Sequence, residues 1–375
     1  MDFNLTEEQR LLQTMVRDFT EREIEPIANQ IDREGRLPDD LIKKYADIGL
    51  LGMTVPQKYG GTEVGDLACI LAIEQLAYAG TGAWWLVGFH NSINETIAYF
   101  GSAEIKEKYL KPLCDGTAYA SLQFTEEDTG SDPEALLTTA LPDGDDYVIN
   151  GMKRFSTFGA REGYAVTCAK DEEGNCTAFV IDKKWPGYQA GKVWELMGGG
   201  GMEAADVYFQ NLRVPRQNIL GKKGDGFTAI LHFIALEKLE QCAVSTGIAQ
   251  AALDEAIKYV KTRMSRGKPI SGMQGIRWML ADMQARIEAC RWLTYRSAFI
   301  AEQRATHWQT EAATAKLFVV PAAMEVVEMS RRLHGAYGYT RDCKIERLYR
   351  AIAGGTAIAV SLEINKSIVG SSLVR

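Results

Sequence analysis

Residues 124–132, FTEEDTGSD, gather small hydroxyls and permissive backbone directly after the apolar run YASLQ at 119–123. Amides around a Gly-Ser pair, with the hydroxyls of Thr125, Thr129 and Ser131, suit a polar ring edge or a phosphate. Taken alone, such a string is more often a solvated turn. Glu237, in LEKLEQ, is one glutamate on a helical stretch, and most of those are solvated too. The histidines at 90, 232, 307 and 334 form no metal-spacing pair, so no metal-hydrolase ligand set is visible. The glycines at 198–201 read as a permissive turn, since no GxxxxGK[ST] follows.

The order of further motifs changes the weight of each. GMKRFSTF occupies 151–158, LRVPRQNILGKKGDGF 212–227, RMSRGKPISGMQ 263–274 and LHGAYGY 333–339. With FTEEDTGSD they resemble the flavin-dependent acyl-CoA dehydrogenase family along essentially the whole chain, from MDFNLTEEQ to SLEINKSIVG. The resemblance implies FAD as cofactor and removal of two hydrogens across the α and β carbons of an acyl-CoA thioester. A carboxylate takes the α proton while the β hydrogen leaves as hydride to the flavin N5. The thioester carbonyl needs hydrogen bonds to the developing enolate, in the manner of an oxyanion hole.

Many family members carry the base as a glutamate directly before a Gly-Thr pair near the C-terminus. This chain reads Ala353-Gly354-Gly355-Thr356 there, so position 354 has no base and retains only a backbone N–H for the thioester carbonyl. A subgroup typified by isovaleryl-CoA dehydrogenase places the glutamate in a Leu-Glu-Arg helix segment instead. The stretch LEKLEQCAVSTGIAQAALD matches that helix without a gap and assigns the role to Glu237, with Glu240 and Glu363 as rivals. The resemblance likewise assigns Phe124, Thr125, Gly130, Ser131, Phe155, Ser156 and Thr157 to the flavin. It also assigns Arg263, Gln274, Arg332, Gly335 and Ala336, reaching from a neighbouring subunit, and Thr356 on the other side. LHGAYGY without that context reads as a helix-terminating turn.

Several positions depart from the family pattern. Phe155 stands where Trp is usual for contact with electron-transfer flavoprotein, Arg266 where Phe packs on adenosine, and Ile358 where Gln is usual. Gly200 and Met202 replace an Arg and a Ser, and about five residues are missing between Arg350 and Gly354. Gly88, His90, Asn91, Ser131 and Ala353 fall near the family's substrate site. Ala83 replaces an arginine that reads a distal carboxylate, which disfavours dicarboxylic acyl groups. Small residues at 88, 353 and 354 suggest room for a branched or cyclic acyl chain, although Trp84 and Trp85 lie close by. Enoyl-CoA reduction, as in the crotonobetainyl-CoA reductase branch, and oxidation of a carrier-protein-bound acyl or aminoacyl group are the alternative reactions.

The elements that must position these residues follow from patterning. Thr6-Glu-Glu-Gln9 is a capping box, followed by Leu11, Leu12, Val16 and Phe19 at helical spacing. Helical patterning reaches about residue 115. Turn clusters at 143–146 and 171–175 then separate the runs YVING, GYAVTCAK and TAFVIDK. Long helical segments resume after 226. Patterning therefore gives helical, antiparallel β and helical blocks, an α+β class, and the resemblance implies an N-terminal helical domain (1–117), a central antiparallel β-barrel (118–225) and a C-terminal four-helix bundle (226–375), assembled as a homotetramer or homodimer. The chain has 375 residues, 46% of them hydrophobic, enough for large cores. Its seven scattered cysteines lack any CxxC, and a formal charge of -7 with no basic block argues against nucleic acid. No secretory or membrane-spanning pattern is present, and a cytoplasmic location is expected.

Overall fold

The computed structural model describes residues 4–130, 132 and 135–374. Helices α1 (Glu7–Phe19), α2 (Ala28–Glu34), α3 (Leu41–Asp47), α4 (Asp66–Ala77), α5 (Trp84–Phe100) and α6 (Ala103–Cys114) come first. The capping box forms: Gln9 N donates to Thr6 Oγ1 at 3.2 Å and Thr6 N to Gln9 Oε1 at 3.0 Å. Val16 and Phe19 face inward, whereas Leu11 is exposed. Helices α4 and α5 are buried on nearly every side, because the sheet and the long C-terminal helices cover what solvent would otherwise meet. Tight apposition there relies on small residues. An added Cβ at Gly247 would lie 2.1 Å from the Glu74 carbonyl oxygen of α4.

Seven strands follow: β1 (Tyr119–Gln123), β2 (Thr139–Asp143), β3 (Asp146–Ser156), β4 (Gly163–Lys170), β5 (Cys176–Asp182), β6 (Tyr188–Val193) and β7 (Ala205–Pro215). The local hairpins are those that the turn clusters predict. Gly144, at φ 65°, closes β2 onto β3. The Asp171 carboxylate accepts from the amides of Glu173 and Asn175 to turn β4 into β5.

The antiparallel barrel is corrected in two respects. The sheet order is β1-β4-β2-β3-β7-β6 with β5 also on β4, and among the described residues no ladder joins β1 to β6, so the sheet is a curled half-barrel. Its β1–β4 and β2–β4 pairs are parallel. The reason is that β2, the next strand in sequence, pairs along its length with β3 and touches β4 only at Thr139, so β4 takes the place alongside β1. A side-chain hydrogen bond, Gln123 Nε2 to Tyr188 Oη at 2.7 Å, spans the open edge.

The remaining elements are α7 (Gly226–Thr262), a small hairpin of β8 (Met264–Ser265) and β9 (Lys268–Pro269), α8 (Gln274–Glu302), α9 (Trp308–Leu333), α10 (Lys344–Ala353) and α11 (Leu362–Leu373). Helices α7, α8 and α9 pack together, with α10 and α11 laid on α9. Among the described residues no helix is long and apolar enough to cross a membrane. All seven cysteines are free and buried.

Candidate active site

The loop 124–130 is anchored from beneath by a buried ion pair. Lys153 Nζ on β3 donates to Glu126 Oε1 at 2.7 Å and to the Phe124 carbonyl at 3.2 Å. The Glu126 carboxylate also accepts from the amides of Leu137 and Thr138. A charge pair this deep persists only when such bonds satisfy its remaining lone pairs. Beside it, the β3–β7 ladder slips between Lys153 and Ser156. Within that bulge Phe155 adopts φ 55°, an unusual region for a bulky residue, and stands 47% exposed. The irregularity turns one aromatic ring out of the pleat beside Thr157.

Phe124, Thr125, Gly130, Phe155 and Thr157 line one side of a cavity of about 650 Å³. Phe233, Ile234 and Glu237 of α7, Ala353 and Gly354 at the end of α10, and residues 357–361 line its other walls. The cavity thus joins the loop after β1, the bulge in β3 and three C-terminal segments far apart in sequence.

Glu237 is buried. Burial raises its carboxyl from the ordinary 4.5 to about 7, against the opposing charges of Lys316 and Lys238. Among the described residues on the cavity wall it is the sole carboxylate. Gly354 caps α10 in right-handed helical geometry, and its amide makes only a contact spanning two residues, to the Ile352 carbonyl.

Glu240, one turn along α7, faces away. It lines a separate cavity of about 20 Å³ with Ser92, Asp66 and Glu95. Ser92 Oγ donates to its Oε1, while Oε2 has no partner among the described residues. Burial pushes its carboxyl up to about 8, helped by the charges of Glu237 and Glu95 and opposed by the Ser92 hydrogen bond. A folded-state value above the unfolded one stabilises the fold at low pH. That contribution is lost as pH rises through the folded value. Glu240→Gln, which keeps an acceptor for Ser92, is therefore expected to match the wild-type Tm near pH 5 and exceed it at pH 8.5. Paired thermal melts check this, and a difference independent of pH would contradict it.

Three further residues assigned to the substrate lie outside the large cavity. A Cβ on Gly88 would lie 2.9 Å from Glu240 Oε2 and 3.3 Å from Trp84, so Gly88 makes room for Glu240 rather than for an acyl chain. His90 accepts from the Ala120 amide at 3.1 Å and is fully buried, which lowers its pKa to about 3 and keeps it neutral. Asn91 bonds Met53 N, Leu50 O and Val87 O, tying α5 to the preceding loop. Ser131 lies outside the described residues.

Of the remaining flavin assignments, Ser156 is buried beside Phe155, and Thr356 donates to the Ala353 carbonyl at 2.9 Å. Arg263, Gln274, Arg332, Gly335 and Ala336 are exposed and line no part of the cavity. Gly335 has φ 59° just beyond α9, so the helix-ending turn is real, whatever else that segment does. Sequence reasoning missed Arg154, Arg350 and Lys316. The first two line the cavity, and Lys316 of α9 is buried behind residues 358–360. Nothing in their local sequence marks them, because each reaches its place through long-range packing.

The donor set fits a flat conjugated ring with a polar rim: an aromatic face, two threonines and apolar walls. The buried hydroxyls of Thr129 and Ser156 have no partner among the described residues, as expected of groups kept for a ligand or water. Comparison with known proteins agrees with this chemistry. Models of the acyl-CoA dehydrogenase N-terminal, middle and C-terminal domains match residues 6–117, 121–212 and 224–374. An acryloyl-CoA reductase (NADH) of Anaerotignum propionicum is 35% identical over 100% of this chain and 96% of its own. A short-chain specific acyl-CoA dehydrogenase of Clostridium acetobutylicum is 34% identical over 100% of both chains. The structure of butyryl-CoA dehydrogenase from Megasphaera elsdenii superposes with a TM-score of 0.97 at 31% identity, covering 100% of both chains. With its three domain matches and its full-length relatives, the chain belongs to the acyl-CoA dehydrogenase family.

Proposed function

We propose that the chain dehydrogenates an acyl-CoA thioester between its α and β carbons, with Glu237 as the α-proton base. The observation that carries this reading is that Glu237 is the sole carboxylate among the described residues of the cavity wall, where it shares the wall with the base-free Gly354. FAD, which Thr125, Phe155 and Thr157 would hold, would supply a hydride acceptor for the β hydrogen. The protein does the rest. Thr125 and Thr157 offer hydrogen bonds to a polar ring edge, Phe155 offers a face, and the Gly354 amide is the donor assigned to the thioester carbonyl. The apolar residues Phe233, Ile234 and Ile358 exclude water around Glu237, which holds its proton affinity near neutrality.

A second reading, reduction of an enoyl-CoA, is favoured by one feature. A carboxyl with a pKa of about 7 is available as proton donor and as acceptor at neutral pH, so the same residue serves either direction. The similarity to an acryloyl-CoA reductase is consistent with this. A homo-oligomer is part of the proposal. Met273, Trp278, Phe318 and Tyr339 are exposed apolar side chains on the C-terminal helical region and its turns, a composition suited to subunit contacts.

The test is anaerobic mixing of the purified yellow protein with a panel of acyl-CoA thioesters. Loss of the oxidised flavin absorbance with some member is expected. Return of colour when the photoreduced protein meets an enoyl-CoA, with no bleaching by any saturated thioester, would establish the reductive reading instead.

A further inference from the structure

Residues 357–361 form one wall of the cavity, and their backbone is strained. Ala359 has φ 55° and Val360 φ 60°. Consecutive left-handed residues are costly without glycine, and a β-branched side chain there is a genuine outlier. Such a stretch persists only where its surroundings over-determine it.

The determining group is the fully buried Lys316 on α9. Its Nζ donates to the carbonyls of Ile358, Ala359 (3.1 Å) and Val360 (2.6 Å). An ammonium has three N–H donors, and here three carbonyls take them all. Asn365 Nδ2 reinforces the next turn through the Ser361 carbonyl at 2.8 Å. Three consecutive carbonyls converging on one point are what the left-handed pair makes possible. The lysine and the strained wall therefore require each other.

We infer that Lys316 is a positioning residue for this active site: its ammonium clamps residues 358–360, which line the same cavity as Glu237, and through space its charge favours the carboxylate form of that residue. This rests on the proposed role of Glu237 but is tested apart from it. Lys316 exerts the largest charge influence on Glu237, ahead of Lys238 on the same helix. The influence is mutual: burial lowers Lys316 to about 8, and Glu237 is the leading charge opposing that fall, followed by Cys242. The other charged groups in reach are Glu240 on α7 and, on the cavity wall, Arg154 of β3 and Arg350 of α10. Arg154 pairs with Glu127 and Asp206, and Arg350 with Asp32 and Glu346, so the charge of each is already largely answered.

The experiment follows the carboxyl stretch of Glu237 by infrared difference spectroscopy against Glu237→Gln, across pH, in the full chain. Lys316→Gln removes the charge and leaves two donors for the carbonyls. The Glu237 midpoint is expected to rise by about one pH unit or more, the range produced by a nearby opposite charge. Because the base must be ionised, the rising limb of substrate-driven flavin reduction should move to higher pH by the same amount, a loss of roughly fivefold at pH 7 that approaches tenfold at lower pH. Hydrogen exchange of amides 357–361 should quicken in the same variant.

Should Lys316→Gln fail to fold, Val360→Gly combined with it relieves the left-handed strain. The double variant is expected to recover its fold while Glu237 still titrates high. A Glu237 midpoint unchanged in either folded variant overturns the inference. A shifted midpoint without a shifted rate profile would uphold the coupling and refute Glu237 as the base.

Discussion

Glu237→Gln is expected to slow substrate-driven flavin reduction by roughly 10²- to 10⁴-fold, the usual range for a lost general base, with flavin still bound. Glutamine keeps the shape and polarity of the side chain and removes its basicity. The geometry gives the wild-type profile its sign. A base must be ionised, and burial places this carboxyl at about 7, so the rate should rise with pH through that value. The rivals serve as controls. Glu240 faces Ser92 in a separate cavity, and Glu363 is exposed on α11 within 3.7 Å of Lys366. Glutamine at either position should leave reduction within a few-fold of wild type, as measured by rapid mixing. Undiminished reduction in the Glu237 variant would remove the assignment.

Gly247→Ala is expected to destabilise the protein by about 3 kcal/mol or more, at or beyond the usual limit for overpacking. The new methyl would lie 2.1 Å from the Glu74 carbonyl oxygen and 3.1 Å from Ala77 Cβ. These are backbone and short side-chain atoms, which cannot swing aside as a long side chain would. Nor is α4 free to retreat. The Glu74 carboxylate is held on α8 by Arg291 Nε at 3.0 Å and by Tyr295 Oη at 2.7 Å. Gly370→Ala on α11 is the control, because nothing lies within 4 Å of its added Cβ. Helix propensity alone should make that change neutral or stabilising by up to about 1 kcal/mol. Equal denaturation midpoints for the two variants would show that the close crossing of α4 and α7 does not bear on stability.

The sequence alone carried the ordered motifs, and these determined the family and the α+β class and pointed to Glu237 as the proposed base. It also carried every local device. The Thr6 capping box, the Gly144 turn and the Asp171 turn form as their residue types require, because each is made by atoms within a few positions of one another. Tertiary structure decided what depends on distant partners. The path of β4 beside β1 in parallel, and the failure of the sheet to close, follow from pairings between strands many residues apart. Gly88 looked like open space for substrate because it is small, yet the space belongs to Glu240. Glu237 and Glu240 share a face by helical arithmetic, but the packing of α5 on α7 places them in separate cavities. Lys316 was invisible as one lysine of a long helix. Its meaning comes from three carbonyls more than forty positions away, which meet it only because a costly left-handed turn is stable when a buried cation satisfies it.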